Sequence, residues 1–449
     1  MATDKVPQNA RRAALASLVG TAIEWYDYFI FGSAAALVFG DLFFPGSSPI
    51  VGTLSSFAVF GVGFLARPLG GIIFGHMGDR LGRKRALVIT LMITGLSTTA
   101  IGLLPTADSV GMLAPVLLVV LRLVQGFGVG GEWGGAALVA VESAPEGKRG
   151  RYGAFPQMGN AIGVVLSTLA FGAASALPDE QFRAFGWRLP FLASLLLVGV
   201  GLVIRLRLME TPTFQRIRDS AQVVRSPLKD VLATHRRALV LTTGMRISEN
   251  VLGYIILTFT LSYATQEIGL GRSSVLFATA CAAAVGIGST YLFGALSDRI
   301  GRRPVFLFGA LFAAAMAFPF FWLLNSGTAV LVWLGIVAYY SIGVGAQYGI
   351  EPAYFAELFD TRVRYSGISI ASQAAGIIAG GLTPTVATAL LAWSGGSYWP
   401  VATYIIVAAA ITAVAIAFAR ETVGVDLDDV RQDQPLTPAP TNIAGRSSA

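Results

Sequence analysis

Eight ionisable side chains sit inside stretches of this 449-residue chain that are otherwise apolar: Glu24, Asp27, Arg67, Arg122, Glu132, Arg246, Glu249 and Glu351. A charge at the centre of a hydrocarbon layer costs about 2.5–3.5 kcal/mol on insertion scales, so each must face a wet cavity or a partner. Glu24 and Asp27 are three residues apart and share one face of a helix, as Gln157 and Asn160 do. Gln125 and Glu132, seven apart, nearly superimpose on a run that also carries Arg122. Arg246, Glu249 and Asn250 open another run with Tyr254 one turn beyond, and Gln347 and Glu351 are four apart in a third. Five carboxylates face three guanidinium groups, which leaves at least one acid short of a cation and suited to taking up a proton. Arginine keeps its proton and binds carboxylates through two parallel hydrogen bonds, which suits an anionic substrate. Pairing that only holds helices together accounts for Arg67, near the end of its run. Trp25, Tyr26 and Tyr28 can stack on a substrate or simply pack.

The elements that must position these groups follow from composition. The chain is 54% hydrophobic and 13% charged, with mean hydropathy +0.67, whereas about a quarter of a soluble domain is charged. The apolar residues fall into twelve runs, near 14–44, 50–75, 86–106, 112–139, 152–176, 187–208, 239–265, 271–296, 304–325, 328–357, 364–392 and 397–419. Each is long enough for a hydrocarbon layer of ~30 Å, and too continuously apolar for the alternating strands of a barrel. The expected fold is an all-α integral membrane protein: twelve transmembrane helices in two six-helix, pseudo-symmetric bundles. Its parts are a bundle at 1–208, a linker at 209–238, a second bundle at 239–420 and a disordered tail at 421–449. The first span is expected to be retained, because no small-residue cleavage site follows it.

Of the 32 Lys and Arg residues, 26 fall on the side bearing both termini, which the positive-inside bias places in the cytoplasm. That placement accounts for the net charge of +7 without a nucleic-acid partner. One cysteine, Cys281, excludes a disulfide framework and a multi-cysteine metal site, and only two histidines, His76 and His235, argue against histidine-based catalysis or metal binding. No nucleophile–base constellation appears, so an enzyme is not expected, and no cofactor beyond a coupling proton. Gly126-Phe-Gly-Val-Gly-Gly131 has the spacing of a dinucleotide fingerprint, but no strand precedes it. Its small residues instead let helices approach closely in lipid.

The clearest internal repeat lies between spans. Gly75, Gly78, Asp79, Arg80, Gly82 and Arg83 stand in a polar turn that returns 219 residues later as Asp298, Arg299, Gly301 and Arg302. A second recurrence joins Glu142 and residues 148–153 to Glu357 and residues 362–367. Repeats at a fixed period mean similar halves. The turn reads as a gating loop, with Asp79 pairing across helices and Arg83 meeting acids or helix C-termini, a latch that holds the outward-facing state.

At these residues the chain resembles the major facilitator superfamily, through Gly75–Arg85, its echo at Gly294–Arg303, and Arg205-Leu-Arg-Leu-Met-Glu-Thr-Pro-Thr-Phe214. Within it, Glu24-Trp-Tyr-Asp-Tyr28, the run from Arg122 to Gly135, and Gly186-Trp-Arg-Leu-Pro-Phe191 are similar to the metabolite:proton symporter family, which includes shikimate, α-ketoglutarate, citrate, dicarboxylate and proline/betaine permeases. The resemblance covers all but the tail. It implies a two-bundle alternating-access carrier in a bacterial inner membrane, commonly monomeric, whose partners are a small substrate, a proton and the lipid bilayer. By motif match, Glu24, Asp27, Arg122 and Glu132 are candidates for coupling and substrate contact.

The combined expectation is proton-coupled uptake of a small organic acid such as shikimate or a mono- or dicarboxylate. The proton is expected on Glu24, Asp27 or Glu132. Substrate contacts are expected from Tyr28, Arg122, Gln125, Gln157, Asn160, Arg246, Glu249, Asn250, Tyr254, Gln347 and Glu351. The alternatives are a zwitterionic osmolyte symporter, which the resemblance disfavours because the family's osmosensing members carry a C-terminal coiled coil and this tail has no apolar heptad, and a drug/proton antiporter.

Overall fold

Backbone N–H and C=O groups find no partner in hydrocarbon, so a chain of long apolar runs satisfies them within helices. The computed structural model describes residues 5–44, 49–207, 215 and 227–427, and every regular element among them is helical. The first half comprises α1 (Lys5–Leu37), α2 (Pro49–Leu81), α3 (Arg83–Leu103), α4 (Leu113–Glu142), α5 (Arg149–Ala174) and α6 (Arg188–Leu206). In the second half, α7 runs as Arg236–Met245, Ile247–Tyr254, a π-helical Ile255–Phe259 and Thr260–Gln266. Then come α8 (Arg272–Ile300) and α9 (Arg302–Asn325). The tenth span, α10, is built from Ala329–Ala338, a π-helical Tyr339–Val344, Gly345–Tyr348 and Glu351–Leu358. The eleventh, α11, is built from Arg364–Ala375, a π-helical Gly376–Gly381 and Thr383–Trp393, and α12 is Trp399–Phe418.

Ten of these twelve are long and apolar enough to cross a membrane. The other two, α1 and α7, carry Glu24 with Asp27 and Arg246 with Glu249. Leu65, Leu196 and Trp393 are each more than 70% exposed, as side chains that face lipid tails would be. Most spans end within a few residues of the boundaries expected from sequence, with three instructive differences. The first helix starts at Lys5, earlier than the apolar run, and a short helix at Phe39–Phe43 follows it. The expected gating loops are not loops: α2 stays helical to Leu81 and α8 to Ile300. The chain reverses at single glycines, Gly82 and Gly301, each at φ 104°, a backbone region that favours glycine.

The third difference concerns the tail, expected to be disordered from residue 421. Residues 421–427 are fastened down: the Glu421 carboxylate accepts the backbone N–H groups of Arg302 (2.9 Å) and Arg303 (3.0 Å), and Thr422 Oγ1 donates to Glu357 (2.6 Å). The Leu427 carbonyl accepts from Arg364 (2.8 Å), and Arg149 of the first half donates to the Val425 carbonyl. The rest of the tail and most of the linker lie outside the described residues, apart from a helix at Pro227–Thr234.

Within the first half, the Gly126–Gly131 run lets α4 lie directly on α2. A Cβ at Gly126 would overlap the Gly63 carbonyl, and one at Gly130 the Arg67 carbonyl. Between the halves, α5 packs on α8 and α2 on α11, and these two contacts are equivalent under the repeat.

Candidate functional site

Where α1, α2 and α5 meet α7 and α10, a cavity of ≈ 130 Å³ opens between the halves. Its wall includes Trp25 and Tyr28 from α1, Asn160 from α5, Arg246, Glu249, Asn250 and Tyr254 from α7, and Tyr340 and Tyr348 from α10. A smaller lobe shares Trp25, Arg246, Asn250 and Tyr254 with it and adds Arg67, Trp133 and Gln373. Two of its cations lie over rings: the Arg246 guanidinium is 4.1 Å from the centre of Trp133, and Arg67 is 4.3 Å from Phe64 and 4.7 Å from Tyr28. Such contacts hold a partly desolvated cation in place while leaving its N–H groups free to bond elsewhere.

On the second half's side, Arg246 lies 3.4 Å from Glu351 and 4.0 Å from Glu249. The pairing is ionic rather than hydrogen-bonded: neither Glu351 oxygen, Oε2 of Glu249 nor Nη1 of Arg246 has a hydrogen-bond partner among the described residues. The path of α10 creates this arrangement. It stops at Tyr348 and restarts at Glu351, which places that carboxylate at the break in the helix, with Pro352 next to it. Gln347 donates to the Gly343 carbonyl (2.9 Å), and its own oxygen is unpartnered.

The first half treats its charges differently. Glu132 is ion-paired with Arg205 and accepts from Thr90 Oγ1 (2.5 Å). Arg122 donates to Gln125 and to the Phe60 carbonyl (3.4 Å), and lies 4.2 Å from the ring centre of Phe31 and 5.0 Å from that of Tyr28. Gln125 donates onward to Thr98 (2.7 Å), and Asp27 accepts from Ser194 (2.6 Å). Glu24 is buried, with one oxygen unpartnered. Glu24, Asp27, Arg122 and Glu132 are all buried, but none of them lines the cavity. Gln157 accepts from Trp133 (2.9 Å) and donates to the Tyr348 carbonyl (3.0 Å), so it ties the halves together. Tyr26 donates to the Pro190 carbonyl and belongs to the bundle core.

Sequence reasoning missed three contributors. By position Arg205 belongs with the basic flank of the linker, yet it is 2% exposed. Arg67, read as a structural pair, lines the smaller lobe. Trp133 follows Glu132 in sequence, and that adjacency was the available signal: two neighbours on a helix point about 100° apart, one into the bundle and one toward the cavity.

At the end of the molecule where residues 421–427 are fastened, the repeated motifs form reciprocal clasps. Asp79, at the end of α2, accepts the backbone N–H groups of Tyr365 (3.1 Å) and Ser366 (2.8 Å) at the start of α11. Asp298, at the end of α8, accepts those of Gly150 and Arg151 (both 2.8 Å) at the start of α5. Each half thus caps a helix of the other. Behind the clasps, Glu142 holds Arg83 (3.4 Å) and Arg364 (3.2 Å), while Glu357 holds Arg302 (3.1 Å) and Arg149 (3.8 Å). Gly78 is obligatory here, because a Cβ would enter the Tyr365 ring, and Gly75 lies against Ser366. Arg80 and Arg299 were expected in the latch but point outward and are exposed. Among the described residues, no three His, Cys, Asp or Glu side chains converge as metal ligands.

A family model described as Major Facilitator Superfamily matches residues 17–381. The Escherichia coli K12 shikimate transporter is 40% identical over 416 residues, covering 92% of this chain and 95% of that protein. The proline/betaine transporter of the same organism is 34% identical, covering 96% and 87%. Among solved structures, the proton:xylose symporter XylE bound to 6-bromo-6-deoxy-D-glucose superposes with a TM-score of 0.77 at 17% identity, covering 94% of this chain and 98% of that one.

Proposed function

The chain belongs to the major facilitator superfamily, and on that premise we propose that it is a proton-coupled symporter carrying a small carboxylated metabolite inward by alternating access. It is a multi-pass membrane transporter, not an enzyme. The proposal places it in a bacterial inner membrane with both termini cytoplasmic. The observation that carries the reading is the inter-half cavity, where one guanidinium, Arg246, stands beside the amides of Asn160 and Asn250 and the rings of Trp25, Tyr28 and Tyr254. A guanidinium orients a carboxylate, amides and phenols bond hydroxyls, and rings cover a small carbocyclic or aliphatic body. With the clasps closed, such a substrate enters from the other side. Release toward the cytoplasm requires Asp79 and Asp298 to let go of their helices, so the halves rock about the occupied cavity. Similarity to the shikimate transporter supports an acid of that class.

The test is uptake of labelled shikimate and a panel of small carboxylic acids by proteoliposomes under an imposed pH gradient, acidic outside. One pH unit is worth about 1.4 kcal/mol per proton, so one-proton symport accumulates substrate about tenfold per unit. Uptake indifferent to the gradient rules out coupling.

A second reading has a specific observation behind it. Arg246 and Glu249 present both signs of charge in one wall, which suits a zwitterion, and one relative is named for proline and betaine. Uptake of labelled proline or betaine that rises after a salt upshift, with shikimate excluded, selects this reading.

A further inference from the structure

We propose that the transported proton is held in the second half, by the carboxylate pair Glu249 and Glu351 that shares the Arg246 guanidinium. The proposal rests on the symport reading above and assigns its coupling site. The argument is a count of charge in a dry place. Arg246 is the only cation within 4 Å of either carboxylate among the described residues. One guanidinium neutralises one carboxylate, and the second, buried without a hydrogen-bond donor, is stable there only as the neutral acid. The other groups facing the pair do not supply the missing charge. Trp133 covers the guanidinium, Tyr254, Tyr340 and Tyr348 line the same wall, and Gln157 reaches only the Tyr348 backbone. Arg67, in the neighbouring lobe, rests on Tyr28 and Phe64. Glu132 is committed to Arg205, and farther along Glu142 and Glu357 are committed to the latch arginines.

The same count produces coupling. A substrate carboxylate that accepts hydrogen bonds from Arg246 brings a second negative charge to one cation, beside the one glutamate that is still ionised. The ionised glutamate then loses its counter-ion, and a proton delivered from the outside solution through the cavity closes an O–H bond on it. Glu249 lines the cavity and Glu351 lies behind Arg246 with no exposure, so the proton arrives by way of Glu249. When the substrate leaves on the other side, Arg246 returns to the pair and the proton is released to water there.

The test compares wild type, Glu351→Gln and Glu249→Gln as full-length protein in detergent, unfolded thermally between pH 5 and pH 9. A carboxylic acid kept protonated in the fold binds more protons there than in the unfolded chain, so stability falls as pH rises. The melting temperature of wild type is expected to fall across this range, and each substitution to remove at least half of that fall. The second variant covers failure of the first to fold. In proteoliposomes with labelled shikimate as probe, gradient-driven accumulation by Glu351→Gln is expected to drop from about tenfold per pH unit to about onefold, a larger loss than its counterflow shows. A wild-type pH profile in both variants, or full gradient-driven accumulation by Glu351→Gln, overturns the assignment. Wild-type uptake that ignores the gradient overturns the symport reading instead, and the melting profiles still judge the pair.

Discussion

In the first half, α1, α4 and α5 run as unbroken α-helices, and the α4 charges are answered inside the bundle: Glu132 by Arg205 and Thr90, Arg122 by Gln125 and the Phe60 carbonyl, while in α1 Asp27 accepts from Ser194 on one oxygen and its other oxygen and one of Glu24 have no partner among the described residues. Their repeat mates α7, α10 and α11 each contain a π-helical segment, α10 breaks again after Tyr348, and the Arg246–Glu249–Glu351 cluster lacks hydrogen bonds on its facing atoms. A π segment displaces one residue from the regular ladder, a local defect that recurs at functional sites. A half-satisfied polar network is expensive in low dielectric, and occupying it with a ligand or proton relieves the cost. One topology, used twice, thus yields a braced wall and a reactive one, while the latch between them remains symmetric.

Replacing the central arginine of each wall puts this contrast under the greatest strain. Arg246→Ala leaves the Glu249–Glu351 pair without its cation, at about 3–5 kcal/mol for a broken buried pair. Uptake by reconstituted protein should fall on the order of 100-fold or more. Arg122→Ala should instead lower the melting temperature while the surviving carrier keeps its KM. The reverse outcome would make the first half the binding side. Next in size, Glu132→Gln leaves Arg205 buried without its carboxylate and should cost roughly 3–5 kcal/mol of stability, seen as reduced melting temperature and yield with KM preserved. A large change in KM with no loss of stability would place Glu132 in the substrate path.

The smallest effects belong to the latch, where the halves should respond alike. Asp79→Ala and Asp298→Ala each remove one helix cap, worth about 0.5–2 kcal/mol. Spin labels at Arg80→Cys and Arg299→Cys, both exposed, on a Cys281→Ser background should show a wider separation at this end for either variant. Widening by only one of them would mean that the latch is not two-fold.

Hydropathy and glycine spacing carried the sequence reading far because both act along the chain. An apolar run of bilayer length has few alternatives to a helix, and the Asp-Arg-x-Gly-Arg repeat marks equivalent turns whatever lies across from them. Tyr28, Asn160, Arg246, Glu249, Asn250 and Tyr254 were named from type and spacing, and they share one cavity. Arg205 could not be placed from sequence because its partner Glu132 is 73 residues away, a distance over which no periodicity survives. The tail at residues 421–427 looked disordered because its order comes from contacts with Arg302, Arg303, Arg364 and Arg149 rather than from a pattern of its own.

Composition and periodicity therefore specify that the chain enters a bilayer, how often it crosses, that it is a duplicated unit and which polar groups must be sheltered. Those are consequences of transfer free energy, which is summed locally. Which sheltered charge meets which, and which remains short of a partner, depends on where helices distant in sequence come within about 4 Å of one another. Electrostatic energy in low dielectric varies steeply over that range, so the roles of Glu132 and Glu351, two carboxylates in repeat-related helices, separate only once the halves are packed.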